Sequence, residues 1–190
     1  RNIAIFGFAP FAIIGAAMGA AMAGLRPVAE IMFSDFYATC WDGVVNEIAK
    51  ARYMTGGQTS LPLVIRSANG GGIGFGSQHS QALENWAMCV PGLKIVAPST
   101  PADMAGLLAA AVRDDDPVLV FEHKALFGLR GPVPDGEQHV PLGRAAVLRP
   151  GTDVTLVGLS SSVALCLDAA QELIQDGVSA EVIDLRCLVP

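Results

Sequence analysis

The sequence predicts an α/β fold: a mostly parallel sheet with helices on both faces. Short apolar runs alternate with helical patterns, which is typical of parallel sheets that are covered on both sides. Hydrophobic residues make up 52% of the 190 residues and charged residues 16%, so the chain can bury a substantial core. The alternation starts again after a Gly-, Pro- and charge-rich stretch at 124–143. We therefore expect one domain over 1–145 and the incomplete beginning of a second α/β domain over 150–190.

The first segment, residues 2–25, carries no charge and has two interpretations. Its length fits a membrane span, and "GAAMG" at 15–19 has the GxxxG spacing of closely packed helices. Ala and Gly favour insertion only weakly, and Pro10 would interrupt a span. We therefore expect a buried helix whose small residues let another helix approach, and no membrane association.

The remaining elements follow from hydrophobic periodicity and from capping residues. Asp35 is a plausible cap for the second helix, and Ser99 or Thr100 for a later one that has Pro101 in its first turn. The predicted strands are 26–33, 61–67, 93–99 and 117–123, and the predicted helices are 35–54, 77–89 and 99–114. Beyond residue 150, the sequence predicts one strand–helix–strand unit, which is too small to fold alone.

Charge and cysteine content exclude several classes of protein. The formal net charge of −6 argues against nucleic-acid binding, because the chain offers little to neutralise backbone phosphates. The four cysteines have no CxxC or metal-type spacing, which indicates reduced thiols. Since the chain starts at Arg1 and stops just after a strand-like run, it reads as a fragment.

A glycine loop with the sequence "NGGGIGFGSQHSQ" occupies residues 69–81. Its glycines do not match the dinucleotide fingerprint, and no Lys-Ser/Thr pair follows as in a P-loop. The loop lies after a predicted strand and before a predicted helix, where open α/β sheets bind ligands. Its residues alone leave two possibilities open: a tight turn with a solvent-facing His79, or a functional loop that presents His79.

Long sequence blocks from about residue 12 to the end resemble a known family. They include "GAAMGAAMAGLRPVAEIMFSDF", "NGGGIGFGSQHSQALENW", "PGLKIVAPSTPADMAGLL" and "VRDDDPVLVFEHK". Together they resemble the β subunit of the thiamine-diphosphate-dependent E1 component of 2-oxo acid dehydrogenase complexes, of the pyruvate, branched-chain and acetoin types. The resemblance implies a transketolase-like pyrimidine-binding domain, followed by the start of a transketolase C-terminal domain.

The resemblance also implies an activity and its partners. It implies oxidative decarboxylation of a 2-oxo acid, with pyruvate as the expected substrate, and transfer to a lipoyl group on E2. An E1 α subunit would complete an α2β2 heterotetramer and hold the cofactor diphosphate through Mg²⁺. Relatives work in the bacterial cytoplasm or the mitochondrial matrix.

By the same resemblance, four residues match positions around the cofactor. Phe36 matches an aromatic residue that packs on the pyrimidine ring, and Met32 matches an apolar wall nearby. Glu30 matches an acid on the same strand, and His79 matches a histidine at the active-site channel. Histidine titrates near neutrality and can orient or protonate an intermediate. Ordinary core packing for Phe36 and Met32, and a structural salt bridge for Glu30, remain open alternatives.

The acidic run "AVRDDDP" at 111–117 resembles a segment that binds a structural K⁺ in several relatives. The resemblance implies backbone carbonyl ligands here, with one more from the preceding strand. The candidate ligands are Leu63, Ala111, Asp114 and Asp116. The alternative is a solvated acidic helix end.

The sequence departs from the family at one decisive position. The family places a glutamate five residues before the first glycine of "GAAMG", where it bonds N1′ of the aminopyrimidine. Here that position is Pro10, and residues 1–29 contain no Asp or Glu. Two hypotheses follow: an E1 β subunit with an altered N-terminal region, or a non-catalytic chain of the same fold that serves as a pairing subunit.

Overall fold

A computed structural model of the chain describes residues 2–6, 9–136 and 140–189. Outside those residues lie positions 7–8 of the uncharged first segment, positions 137–139 of the predicted linker, and the chain ends Arg1 and Pro190. The strands are β1 Asn2–Phe6, β2 Arg26–Phe33, β3 Val64–Asn69, β4 Lys94–Val96, β5 Val118–His123, β6 Ala146–Arg149, β7 Val154–Gly158, β8 Ala180–Asp184 and β9 Cys187–Val189. The α-helices are α1 Pro10–Met22, α2 Ala51–Met54, α3 Glu84–Met88, α4 Pro101–Arg113 and α5 Ser162–Leu173.

The first sheet has the strand order β1-β2-β3-β5-β4-β9. All its neighbouring pairs are parallel except β4 with β9, which is antiparallel. One face is covered by a core that includes Ile14 of α1 and Phe121 of β5, and the other by a core that includes Leu107 of α4. The predicted mostly parallel sheet with helices on both faces is therefore confirmed.

The uncharged segment at 2–25 is not one helix, so that prediction was wrong. Strand β1 pairs with β2 in parallel, from Asn2 opposite Arg26 to Phe6 opposite Glu30, and α1 begins only at Pro10. Proline is favourable there, because the first turn of a helix has no partner for its backbone N–H. No helix in the described part of the chain is long and apolar enough to cross a membrane.

The predicted helix over 35–54 is broken into three pieces. It comprises a 3-10 turn at Ser34–Thr39, a π-helical turn at Gly43–Ile48 and the short α2. The Thr39 hydroxyl donates to the carbonyl of Phe36 (2.9 Å), and such bonds compete with helical ones. A Cβ on Gly43 would lie 3.2 Å from the Ile14 side chain, so this segment follows the surface of α1 closely.

The predicted helix over 77–89 is also mostly absent. Only a 3-10 turn at Ser77–His79 and the short α3 form, and the chain between them is irregular. In contrast, α4 agrees well with the prediction. The Thr100 side chain caps it by accepting a hydrogen bond from the Asp103 amide (3.0 Å).

The second sheet has the order β6-β8-β7, with β6 antiparallel and β7 parallel to β8. Helix α5 packs on it, with Ala170 buried against Ala180 and Val182. The strand–helix–strand unit predicted beyond residue 150 is thus present as β7, α5 and β8. Strand β9, which the sequence analysis did not anticipate, returns to the first sheet.

Candidate functional site

The candidate site lies at the carboxyl ends of β2, β3 and β5. These three neighbouring strands are parallel, so the segments that follow them meet at one edge of the sheet. The segments are the 3-10 turn Ser34–Thr39, the glycine loop and the 3-10 turn Lys124–Leu126. Side chains distant in sequence are thereby brought together.

An aromatic cluster forms the centre of this edge. The imidazole of His79 packs edge-on against Phe33 (ring centroids 4.5 Å apart) and Phe36 (5.3 Å). Phe33 also contacts Phe36 and Phe75, each at 5.9 Å. His79 is only half-buried, so it is not enclosed by the cluster. This position beside Phe36, outside the apolar core, agrees with the expectation for His79.

A hydrogen-bond network fixes the glycine loop relative to the Ser34–Thr39 turn. Asp35 Oδ1 accepts bonds from the Gln81 backbone N–H (3.2 Å) and from Gln81 Nε2 (2.8 Å). The Gln81 carbonyl accepts from the Gly70 N–H (2.9 Å) and lies 3.3 Å from the Ser34 hydroxyl. Gln81 is therefore held from both sides, two residues after His79.

Asn69 and Gly70 set the start of the loop. Asn69 Oδ1 accepts from the Ser34 hydroxyl (2.8 Å) and the Leu83 N–H (3.1 Å), both in the buried interior. Gly70 has φ +77°, and a Cβ there would clash with the imidazole of His123. Only glycine meets both requirements without strain. The glycine at this position thus permits a close backbone approach, which accounts for one glycine of the loop.

A cavity of about 430 Å³ adjoins the aromatic cluster. Its lining residues are Glu30, Met32, Phe33, Arg66, Ser67, Ala68, Ile73, Phe75, Glu122, Lys124 and Phe127. Arg66 bonds Glu122 through two parallel contacts (2.6 and 2.7 Å) and lies 3.4 Å from Glu30. The hydrogen bond with Glu122 raises the pKa of Arg66, partly offset by burial. Arg66 thus engages both carboxylates of the lining, and the three residues together carry a formal charge of −1.

Lys124 stands apart in this lining because it is a buried cation. It is 3% exposed, and its ammonium has no hydrogen-bond partner among the described residues. Burial lowers the pKa of Lys124. The sequence analysis missed this residue, although it directly follows an apolar strand at the ligand-binding edge of a predicted parallel sheet. That placement was the available signal.

The structure brings together some of the predicted site residues and separates others. Phe36 and His79 are in ring contact. Met32 and Glu30 line the cavity that Phe33 and Phe75 also border, and Glu30 forms the ion pair with Arg66 that the sequence analysis left as an alternative. Phe33 was not singled out from the sequence, although it follows Met32 directly.

The candidate potassium ligands lie at the opposite, amino-terminal edge of the sheet. Leu63 precedes β3, and its carbonyl accepts from the Val118 N–H (2.9 Å). The Asp114 carbonyl accepts from Arg26 (2.9 Å), and its carboxylate binds Lys94 (2.7 Å). The remaining candidates are Ala111, whose carbonyl accepts from the Asp114 N–H (3.3 Å), and Asp116, whose carboxylate pairs with Arg52 (2.5 Å). Protein donors already engage these oxygens.

Two sequence profiles of known families match the chain. The profile of the transketolase pyrimidine-binding domain matches residues 2–129, and that of the transketolase C-terminal domain matches residues 143–190. The chain belongs to the transketolase pyrimidine-binding domain family. This assignment confirms the resemblance and the fold class that the sequence analysis stated.

Curated relatives of this chain include several β subunits. The chain is 49% identical over 179 residues to the β subunit of acetoin:2,6-dichlorophenolindophenol oxidoreductase from Cupriavidus necator, covering 94% of this chain and 53% of the relative. It is 47% identical to the 2-oxoisovalerate dehydrogenase β subunit of Bacillus subtilis, covering 94% and 55%. It is 45% identical to the mitochondrial pyruvate dehydrogenase E1 β subunit of Ascaris suum, covering 94% and 51%. The chain spans about half the length of these relatives.

Solved structures of transketolases share the fold. A split-gene transketolase described as an inactive β4 tetramer is 27% identical, with a TM-score of 0.77 over 95% of this chain and 55% of that one. A transketolase mutant from Pichia stipitis is 17% identical, with a TM-score of 0.67 over 93% and 25%. The second likeness shows the fold alone.

The aromatic cluster and the first turn of α1 differ in how well they suit a flat heterocycle. Phe36 is half-buried at the carboxyl edge and forms, with Phe33 and the half-buried His79, an aromatic wall that suits ring packing. The first turn of α1, which begins with Pro10, offers no Asp or Glu to a ring nitrogen. The wall fits thiamine diphosphate, whereas the first turn of α1 does not.

Proposed function

We propose that this chain is the pyrimidine-binding part of an E1 β subunit of a 2-oxo acid dehydrogenase complex. The observation that carries the proposal is its 44–49% identity to E1-type β subunits over more than nine-tenths of its length. The reaction would be oxidative decarboxylation of a 2-oxo acid, with pyruvate as the expected substrate, followed by transfer to a lipoyl group. Because the chain spans half of its relatives, the activity belongs to the longer protein and its partners.

Four residues at or beside the aromatic cluster would bind the cofactor or take part in the reaction. Phe36 would pack on the aminopyrimidine of thiamine diphosphate, with Met32 in the wall beside it and Glu30 held by Arg66. When bound, the cofactor would supply a nucleophilic carbon for the 2-oxo acid carbonyl and a cationic thiazolium ring that takes up the electron pair left when carbon dioxide departs. His79, accessible beside Phe36, would hold or deliver a proton during transfer to the lipoyl arm.

Partners would complete the site. An E1 α subunit would hold the diphosphate through Mg²⁺ in an α2β2 assembly, and the lipoyl domain of E2 would receive the product. The names of the relatives include both bacterial and mitochondrial proteins, which supports the bacterial cytoplasm or the mitochondrial matrix as the location.

One observation favours a second candidate function. Residues 1–29 contain no acid, and Pro10 offers neither a titratable group nor a backbone donor. A chain without the activating acid could serve as a non-catalytic pairing subunit. We propose the enzyme with impaired activity, and the ring contact between Phe36 and His79 supports it, because the resemblance gives both residues a place at the cofactor.

We also propose a structural K⁺ site, with the carbonyl oxygens of Leu63, Ala111 and Asp114 and with Asp116 as the candidate ligands. A carbonyl oxygen has two lone pairs, so an ion could bind in addition to the existing donors. Thermal unfolding in potassium chloride and in sodium chloride of equal strength tests this. A melting temperature independent of the cation would remove the proposal.

The experiment that tests the proposed function uses the full-length protein with its α subunit. The Pro10→Glu version is mixed with pyruvate, 2-oxoisovalerate or acetoin, and reduction of 2,6-dichlorophenolindophenol is followed. We expect thiamine-dependent dye reduction, fastest with pyruvate. Faster reduction with another substrate would correct the substrate, and a paired complex inactive with all three would favour the non-catalytic alternative.

A further inference from the structure

Two buried side chains of opposite charge lie beside the aromatic cluster without a direct bond. Lys124 is 3% exposed and Asp35 is 7% exposed. Among the described residues, neither the Lys124 ammonium nor Asp35 Oδ2 has a hydrogen-bond partner. A buried charge is costly unless another charge compensates it. Both residues therefore require an explanation.

The two carboxylates of the cavity lining, Glu30 and Glu122, are both engaged by Arg66. Neither bonds Lys124, whose ammonium has no hydrogen-bond partner among the described residues. Burial lowers the pKa of Lys124, and the negative charge of Asp35 opposes that lowering. Asp35 is also buried, with its Oδ2 unbonded, and the attraction between opposite charges in a protein interior is weakly screened.

Asp35 in turn holds the parts of the site that carry the expected roles. Its Oδ1 binds both the backbone N–H and the side-chain amide of Gln81, two residues after His79. It also precedes Phe36 in the 3-10 turn Ser34–Thr39. A change in the balance of charge at Asp35 would therefore act on both ring positions at once.

Phe33 provides a second link between Lys124 and His79. The Lys124 ammonium lies 5.5 Å from the centroid of the Phe33 ring, within the range of a cation–π interaction. The same ring packs against the imidazole of His79, with centroids 4.5 Å apart. The lysine thus contacts the ring that supports His79.

We propose that Lys124 is a positioning residue, which compensates the buried charge of Asp35 and so keeps Phe36 and the His79 loop in their relative places. Only the expected effect of Lys124 on turnover rests on the proposed function. The electrostatic pairing of Asp35 and Lys124, and its effect on the loop, stand independently of any activity.

A double-mutant cycle tests the pairing in the full-length protein in its native assembly. Lys124→Met removes the charge at similar length, and Asp35→Asn removes the counter-charge but keeps an oxygen that can accept from Gln81. We expect each single change to lower the melting temperature by about 5 °C or more, and the double variant to lose clearly less than the sum. Additive losses would overturn the proposal.

A matched control separates this effect from the loss of any lysine. The Nζ of Lys50 donates to the Pro91 carbonyl (2.6 Å) in an exposed bond. We expect Lys50→Met to change the melting temperature by no more than about 2 °C, and to show no coupling with Asp35→Asn. Equal coupling of Asp35→Asn with both lysine changes would contradict a specific pair.

Amide hydrogen exchange tests the positioning itself. The Gly70 and Gln81 N–H groups are bonded to Gln81 O and Asp35 Oδ1, so their exchange reports the loop geometry. We expect faster exchange at both in Lys124→Met, and recovery towards the parent rate in the double variant with Asp35→Asn. Unchanged exchange in Lys124→Met would mean that Lys124 does not hold the loop.

Turnover provides a readout that a merely structural role would not reproduce. In the Pro10→Glu background with the α subunit, we expect Lys124→Met to lower dye-linked turnover about tenfold or more, and Asp35→Asn to restore part of it in the double variant. Lower activity in the double variant than in Lys124→Met would contradict the proposal. If every version is inactive, the proposed function fails, and the exchange rates alone decide the role of Lys124.

Discussion

At the residue scale, His79 lies in an aromatic cluster and not alone on a solvent-facing turn. The imidazole packs against Phe33 and Phe36 but stays half-exposed, so it is both oriented and reachable. Block-by-block resemblance predicted Phe36 and His79 as partners. It could not predict the contributions of Asp35 and Lys124 to this site. Positions 35, 81 and 124 reach the same edge only through the parallel sheet, and no local sequence pattern encodes that arrangement.

The role of His79 can be tested in a catalytically competent relative that has the same loop. We expect His79→Ala to lower lipoyl acylation by roughly 10²–10⁴-fold, as for a positioned acid–base group, while thiamine diphosphate affinity changes little. Reductive acylation of a lipoyl domain and cofactor titration measure the two effects. The neighbouring exposed Gln78→Ala is the control, and equal losses in both assays would indicate a structural role for His79.

At the element scale, the exposed face of α1 is unusually apolar and smooth. Phe11 is 64% and Met22 56% exposed, and a Cβ on Gly15 or Gly19 would meet no atom within 4 Å. Apolar surface of this kind marks interaction sites, and small residues let a second helix approach closely. We therefore expect α1 to pack against a helix of a partner subunit.

Substitution on this face should affect assembly without affecting the fold. Gly15→Leu combined with Gly19→Leu has open space in the isolated chain, so we expect near-normal circular dichroism but weaker association in sedimentation velocity. Ala169→Leu on the exposed face of α5 is the matched control. A stable, dilute monomer of the parent protein, or unchanged association of the double variant, would contradict this assignment of α1.

Sequence periodicity predicted some elements well and others poorly, for identifiable reasons. Strand β2 was predicted at its observed bounds, Arg26–Phe33, because eight residues of strand pattern lie between turn signals. The helix expected over 35–54 fails because Gly43 must pass close to Ile14 and the Thr39 hydroxyl competes for a backbone carbonyl. Such contacts depend on the packed neighbour, which sequence periodicity does not contain.

At the scale of the whole molecule, the last strand connects the second sheet to the first. Strand β9 pairs antiparallel with β4, and the Ser99 hydroxyl bonds the buried carboxyl of Asp184, whose pKa is raised by burial. Arg186 lies between β8 and β9 and binds Asp103 of α4 (2.6 Å). These contacts connect the second sheet to the first and could not be predicted from the unit beyond residue 150 alone.

Loss of the Arg186–Asp103 ion pair should weaken this connection measurably. Arg186→Met would leave the buried carboxylate of Asp103 without its partner, at a cost of about 3 kcal/mol in the free energy of unfolding. Urea unfolding of the full-length protein measures the change, with the exposed Arg130→Met as control. A change within about 0.5 kcal/mol would show that the ion pair contributes little to joining the two sheets.

We expect this chain to have the ring wall of a thiamine enzyme without the activating acid. One assay tests the wall and the missing acid together. Dye-linked decarboxylation of pyruvate is measured for the full-length Pro10 protein and its Pro10→Glu variant, each with the same α subunit. A carboxylate bonded to the pyrimidine drives its tautomer change, and loss of such a positioned group costs roughly 10²–10⁴-fold in rate. We expect poor turnover and weak cofactor binding for Pro10, with partial recovery in Pro10→Glu. Full activity of the Pro10 version would contradict the placement of the missing acid.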